Sequence, residues 1–149
     1  MILGKPSYVL AIALCLGVVA PTCAEEPIRN ITFDALKFEI KKGDPFERKL
    51  LTQSIEKLDG KRLRLRGFIL PPYQTTGLTK FVLMRDNMEC CFGPQAYIYD
   101  CVIVDLPAGE SIDYTTKPVA VEGTFEIEEF KNPNGTHMAI YHLAADKVR

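Results

Sequence analysis

The sequence predicts a mainly β protein, and three observations predict it. From Lys61 onward the apolar residues recur at every second position: Leu63 and Leu65 alternate with Arg62, Arg64 and Arg66. Turn residues then punctuate the chain at Pro71-Pro72, Gly93-Pro94 and Asn132-Pro133-Asn134-Gly135. Between these breaks stand runs rich in β-branched and aromatic residues, each of strand length. Five such runs, joined by meander and hairpin with a long connection before the fourth, fit a small closed barrel of the oligonucleotide/oligosaccharide-binding (OB) type. An open antiparallel sheet packed by one helix is the alternative.

Residues 1–24 read as a secretory signal peptide. Lys5 supplies a positive start, Val9–Ala20 is an apolar run short for a bilayer span, and Thr22-Cys23-Ala24 offers a small-residue cleavage site. The expected location is therefore exported, periplasmic or secreted. Neither Cys15 nor Cys23 has a convincing small-residue lipidation context, which points to a soluble protein. Residues 25–60 form an N-terminal extension. Ile31-Thr32-Phe33 and Leu36–Ile40 can lie extended against the domain, with Lys41-Lys42-Gly43 as a turn.

A capping helix is predicted over 45–59. Asp44 suits its N-cap, Pro45 its first position, and Glu47 stands where a capping box needs it. Phe46, Leu50, Leu51, Ile55 and Leu58 make one apolar stripe, and Gly60 stops the helix.

Residues 61–149 carry the predicted five-stranded OB-like barrel. Its first strand runs from Lys61 to Leu70, with a bend or bulge at Gly67. The second is Thr79–Asp86. The third, Tyr97–Leu106, is apolar on both faces and so central. Residues 107–117 are too rich in Pro, Gly and Thr for the helix that usually joins the third and fourth strands of such barrels. In the fourth strand, from Pro118, Val119, Val121, Phe125 and Ile127 alternate with Glu122, Thr124, Glu126 and Glu128. Asn132–Gly135 is a hairpin turn leading to a fifth strand at Thr136–Ala144.

The formal charge of −1 excludes a global basic field for nucleic acid or an anionic membrane. Cleavage after Ala24 removes Lys5 and no acid, making the mature chain more negative still. Tyr97 and Tyr99 can offer stacking surfaces, but an exported acidic domain argues against a nucleic-acid partner. A partner of another kind, exported or membrane-bound, stays open. No Ser-His-Asp order, phosphate loop or paired carboxylates point to an enzyme.

Chemistry concentrates at Asn87–Gln95, which holds Cys90 and Cys91. With Cys101 these are the cysteines left after signal cleavage, an odd number for an oxidising compartment. Three readings stand. A turn centred near Ala96 puts Cys91 opposite Cys101, where a disulfide is allowed. Alternatively, Cys90, Cys91 and Cys101 hold zinc or copper(I), helped by His142 or His137, both on the fifth strand. Met84, Met88 and Met138 also suit copper(I), although core packing is the better default for each. Thiol redox chemistry is the third reading, with Arg85 the only cation near in sequence.

Two further features stand out. The stripe Arg62, Arg64, Arg66 is a candidate anion site, but ion pairs with Glu122, Glu126 and Glu128 on the fourth strand are the better account of it. Asp100, inside an apolar strand, needs a partner, which Arg85 or a loop amide can supply.

The phrase Leu58-Asp59-Gly60-Lys61 through Gly67-Phe68-Ile69-Leu70-Pro71, the strand Lys80–Met84 and the cysteine turn occur here in a characteristic order. This order resembles a family of exported bacterial proteins of unknown function, over roughly residues 31–106. Members of that family often carry Cys-x-His followed by prolines at the turn. Here Phe92 takes the histidine position and only Pro94 remains of the proline run. The turn also loosely resembles cysteine-pair barrels of permease-associated proteins, where an Arg-ended strand precedes Cys-Cys, as Arg85 precedes Cys90-Cys91. Neither resemblance implies a reaction.

Overall fold

In a computed structural model the chain is described over residues 27–86 and 97–149. It is mainly β. Six strands form one sheet: β1 (Arg29–Ile31), β2 (Arg62–Ile69), β3 (Lys80–Met84), β4 (Cys101–Asp105), β5 (Val119–Lys131) and β6 (His137–Val148). The order is β1-β2-β3-β4-β6-β5, and β2 also pairs with β5. The β1–β2 and β4–β6 pairings are parallel and the others antiparallel.

The sixth strand comes from the N-terminal extension, which the period-two pattern from Lys61 onward did not include. β1 pairs Arg29–Ile31 with Leu63–Leu65 of β2, whereas β3 reaches β2 only at Phe68 and Ile69. The extension thus runs along the part of β2 that β3 leaves open. β2 exchanges partners at Gly67: Arg62–Gly67 pair with β5, and Phe68 and Ile69 with β3. A Cβ at Gly67 would lie 2.3 Å from the Met84 carbonyl oxygen. Close backbone approach, in an unbroken register, is what requires glycine there.

The predicted helix over 45–59 is replaced by two short turns. A 3-10 turn spans Arg48–Leu50, and α1 spans only Gln53–Glu56. Leu51 and Thr52 between them are extended, with ψ of 141° and 155°. Thr52, rather than Asp44, is the cap: its Oγ1 accepts from the Ile55 amide at 3.4 Å. The apolar stripe survives without the helix, because Phe46, Leu51, Ile55 and Leu58 are all buried. Burial of those four side chains decided the path, and the backbone broke to permit it.

The β3–β4 connection is wider than the sequence implied. β4 starts at Cys101, after a 3-10 turn over Ile98–Asp100, and the last cross-strand pair is Met84↔Cys101. Met84 therefore stands opposite Cys101, the position that a turn centred near Ala96 gave to Cys91. Cys90 and Cys91 lie outside the described residues.

Residues 107–117 contain no helix, as expected, and Leu78 bridges to Ile112 there. The β5–β6 hairpin turns where predicted. Asn132 Oδ1 accepts from the amides of Asn134 and Thr136 at 3.0 and 2.9 Å, and Gly135 takes φ +80°. Alternate residues of β2–β6, among them Leu63, Leu65, Leu83, Val102, Val104, Val121, Phe125 and Leu143, make a core joined by Phe33, Leu36, Ile55 and Leu58 from the N-terminal segment.

Candidate functional site

Three groups of side chains bear on function. The first stands at the foot of the 87–96 segment. Met84 and Cys101 face each other as the last pair of β3 and β4, and both are buried, at 2% and 3% exposure. Neither belongs to the main hydrophobic cluster. Asp100, next to Cys101, accepts from the Tyr97 amide through Oδ2 at 3.3 Å, and Arg85 Nη1 stands 3.8 Å from its Oδ1. Both partners anticipated for this carboxylate are thus present. Among the described residues none hydrogen-bonds the Oδ1 atom itself.

An aromatic row leads away from this point. Tyr97 and Tyr99 stack at 4.8 Å, Tyr99 meets Phe38 at 5.5 Å, Phe38 meets Phe46 at 5.9 Å, and Phe46 meets His137 at 5.5 Å. His137 also bonds Glu129 at 2.8 Å. The parallel register Ile103↔His142 sets the direction: His137 lies toward the β4 start and the cysteine segment, and His142 farther along β4.

The second group surrounds His142. Its Nε2 is 2.9 Å from Asp105, and its Nδ1 is 3.0 Å from Glu126 and 3.6 Å from Glu128. The ring is mostly covered, and carboxylates hold it from both edges. Ligand atoms of Glu126, Glu128 and His142 lie within 4.8 Å of one another. Neither Cys101 nor His137 belongs to this group. The burial of Asp105 opposes its ionisation, but Lys80 and His142 outweigh that and hold its carboxyl below the usual range. The acidic setting of His142 was legible: mirroring the hairpin about Asn134 places Glu126 opposite His142, the register found.

The third group is the arginine stripe. Arg64 pairs with Glu122 at 2.6 Å and donates to Asn30 Oδ1 at 3.2 Å. Arg62 pairs with Asp146 at 2.7 Å, and Arg66 is exposed. Cross-strand pairing was anticipated for Glu122, but Glu126 and Glu128 face His142 instead. The cause is strand length: β2 meets β5 only as far as Arg62↔Thr124, so the later glutamates run past it. Burial of Glu122, at 4% exposure, was missed, since its place in the alternation reads as solvent-facing.

The Arg64 hydrogen bond holds the Glu122 carboxyl below the usual glutamate range, and His137 and Lys131 do the same for Glu129. A carboxyl with a depressed folded pKa stabilises the fold above its unfolded pKa and loses that contribution as pH falls through the folded one. The melting temperature is therefore expected to hold from neutrality to about pH 4.3 and to drop below it. Glu122→Gln should show a smaller acid drop than the parent; thermal melts from neutral to acid pH compare the two slopes.

Together these features define a mainly β, single-sheet domain with a sulfur pair at one end and a carboxylate-ringed histidine on one face. A family model described as a protein of unknown function, DUF3299, matches residues 23–149, and the chain belongs to that family. A crystal structure of a DUF3299 family protein (PA4066) from Pseudomonas aeruginosa PAO1 is similar, with a TM-score of 0.55 and 23% identity. The match covers 82% of this chain and 95% of that one, and at this identity it speaks for the fold alone. No curated protein matches the chain.

Proposed function

We propose that this chain is an exported binding module built on an OB-like barrel, with a sulfur-lined metal centre as its working part. The barrel reading is supported by the pairings β2–β3, β3–β4, β4–β6, β6–β5 and β5–β2, which return to their starting strand, with β1 outside the ring. Export rests on the signal-like residues 1–24.

The observation that carries the metal reading is the Met84↔Cys101 pair. It places a buried thioether beside a buried cysteine at the base of the segment whose sequence supplies Met88, Cys90 and Cys91. Sulfur donors in this number suit copper(I), and thiolates with a histidine suit zinc. His137 is the histidine better placed to assist, being toward the same end. His142 is the weaker candidate, since Asp105 and Glu126 already occupy its two nitrogens. A thiol-dependent accessory protein acting on another exported or membrane protein fits the same residues.

The test is metal content and thiol count on protein purified from an oxidising compartment without chelator. Stoichiometric copper or zinc, lost in Cys90→Ser and Cys91→Ser, is the expected result. Met84→Leu separates the metals, because it removes a donor that copper(I) accepts and zinc does not use. Absence of metal, with one disulfide and one thiol, would overturn the reading and leave a structural or interaction domain.

A further inference from the structure

The surroundings of His142 pose a chemical question. Its two ring nitrogens both face carboxylates: Nε2 stands 2.9 Å from Asp105 Oδ2, and Nδ1 stands 3.0 Å from Glu126 Oε2 and 3.6 Å from Glu128 Oε2. An ionised carboxylate accepts hydrogen bonds only, and a neutral imidazole carries a single N–H. Such a ring cannot donate to both edges. With its proton on Nε2, toward Asp105, the Nδ1 lone pair points at two carboxylates. A cation shared by Nδ1 and those carboxylates satisfies all three as electron-pair donors.

The strands bring these groups together without strain. Glu126 and Glu128 stand two apart on β5 and so share a face. The antiparallel pair Glu126↔His142 sets the imidazole on that face from β6, and the parallel pair Ile103↔His142 brings in Asp105 of β4. The spacing suits a metal. Ligand atoms about 2.0–2.2 Å from a tetrahedral ion stand roughly 3.3–3.6 Å apart, and the two Nδ1 to carboxylate distances bracket that separation. The imidazole is largely covered while both glutamates are exposed, so an ion can enter from solvent. Lys80 does not compete for the glutamates: it pairs with Asp105 at 3.0 Å and lies over the Phe130 ring.

We propose that Glu126, Glu128 and the Nδ1 of His142 bind zinc or a similar divalent transition-metal ion, with Asp105 fixing the ring through its other nitrogen. A metal-bound histidine commonly donates its second N–H to a carboxylate in this way, which sets the tautomer and the ring orientation. The imidazole favours zinc over magnesium or calcium, whose preferred ligands are oxygen alone. Three protein ligands leave a fourth position to water. None of the ligands is a cysteine or methionine, so this site and the sulfur centre can fail independently.

The experiment uses the full mature chain carrying Cys90→Ser/Cys91→Ser, which removes those thiolates of the sulfur centre. Zinc alone is titrated by calorimetry, and cobalt(II) is followed by absorption. Stoichiometric zinc binding is expected, with a melting temperature that rises on addition of zinc and falls back with chelator. Cobalt should give visible bands without the near-ultraviolet band of a thiolate ligand. On this background His142→Gln should abolish binding, and Glu126→Gln and Glu128→Gln should each weaken it about tenfold or more. Glu128 is exposed, so its variant keeps the test clear of any folding defect caused at His142. His137→Gln, outside the group, should bind as the parent does. Nitrogen shifts of the His142 ring identify the ligand atom: zinc should move Nδ1 while Nε2 keeps its proton. Absence of zinc binding, undiminished binding in the Glu128→Gln protein, a cobalt–thiolate band, or coordination through Nε2 overturns the proposal.

Discussion

Gly123→Ala is expected to destabilise the domain by about 3 kcal/mol or more, the upper end of what overpacking costs. The Cβ it adds would lie 2.1 Å from the Ala144 carbonyl oxygen and 2.7 Å from the Ala145 Cα. Both are backbone atoms of β6, so no side-chain rotation relieves the contact. Relief requires β5 and β6 to separate where their register shifts: Glu122 pairs with Lys147 but Gly123 with Ala145. Asp146 is the extra residue of that bulge, and it binds Arg62. The damage should therefore spread from the strand pair to the Arg62–Asp146 ion pair. Urea melts measure the loss, and with natural stabilities of about 5–15 kcal/mol a large share of the total is at stake. A change under about 1 kcal/mol would mean that the strands part without strain.

The same bulge shows where sequence reading stops. Period-two alternation located β2 to β6, because one buried face imposes that period on any strand. The hairpin at Asn132–Gly135 was legible because local side-chain bonds from Asn132 dictate it. Gly67 was marked as a special position, although whether it bent the strand or admitted a neighbour depended on Met84, distant in sequence. What failed was non-local. Phe46, Leu51, Ile55 and Leu58 have a helical spacing, yet tertiary burial satisfied all four with two short turns. The pairing of Glu122 with the arginine stripe was legible, but its burial was not, since that depends on what the fold packs around it. At the candidate site, the sequence singled out Cys101, Arg85 and Asp100, but the Met84↔Cys101 register could not be had from a turn centre alone, because the connection contains its own 3-10 turn.

Tyr141→Ala is expected to cost about 3–5 kcal/mol, as truncation of other large buried aromatics does. Tyr141 is fully buried, packs against Phe125 at 5.2 Å, and donates its hydroxyl to the Leu36 carbonyl at 2.8 Å. Burial, with a smaller effect from Glu56, pushes the hydroxyl above its ordinary pKa, so it stays protonated as a donor throughout the physiological range. Tyr141→Phe keeps the ring and removes only the bond, which should cost about 1–3 kcal/mol because the Leu36 carbonyl is left without this donor. The two variants separate packing from anchoring. Leu36 is itself fully buried in the N-terminal segment that also supplies β1. In the Phe variant, amides of Phe33–Leu36 should exchange faster with solvent while those of β3 and β4 keep their protection, since local opening need not cross the whole sheet. Uniform loss of protection would instead mean that the extension and the sheet unfold as one unit. Under that outcome residues 27–60 would be part of the domain's cooperative core, rather than an extension fastened to it by Tyr141.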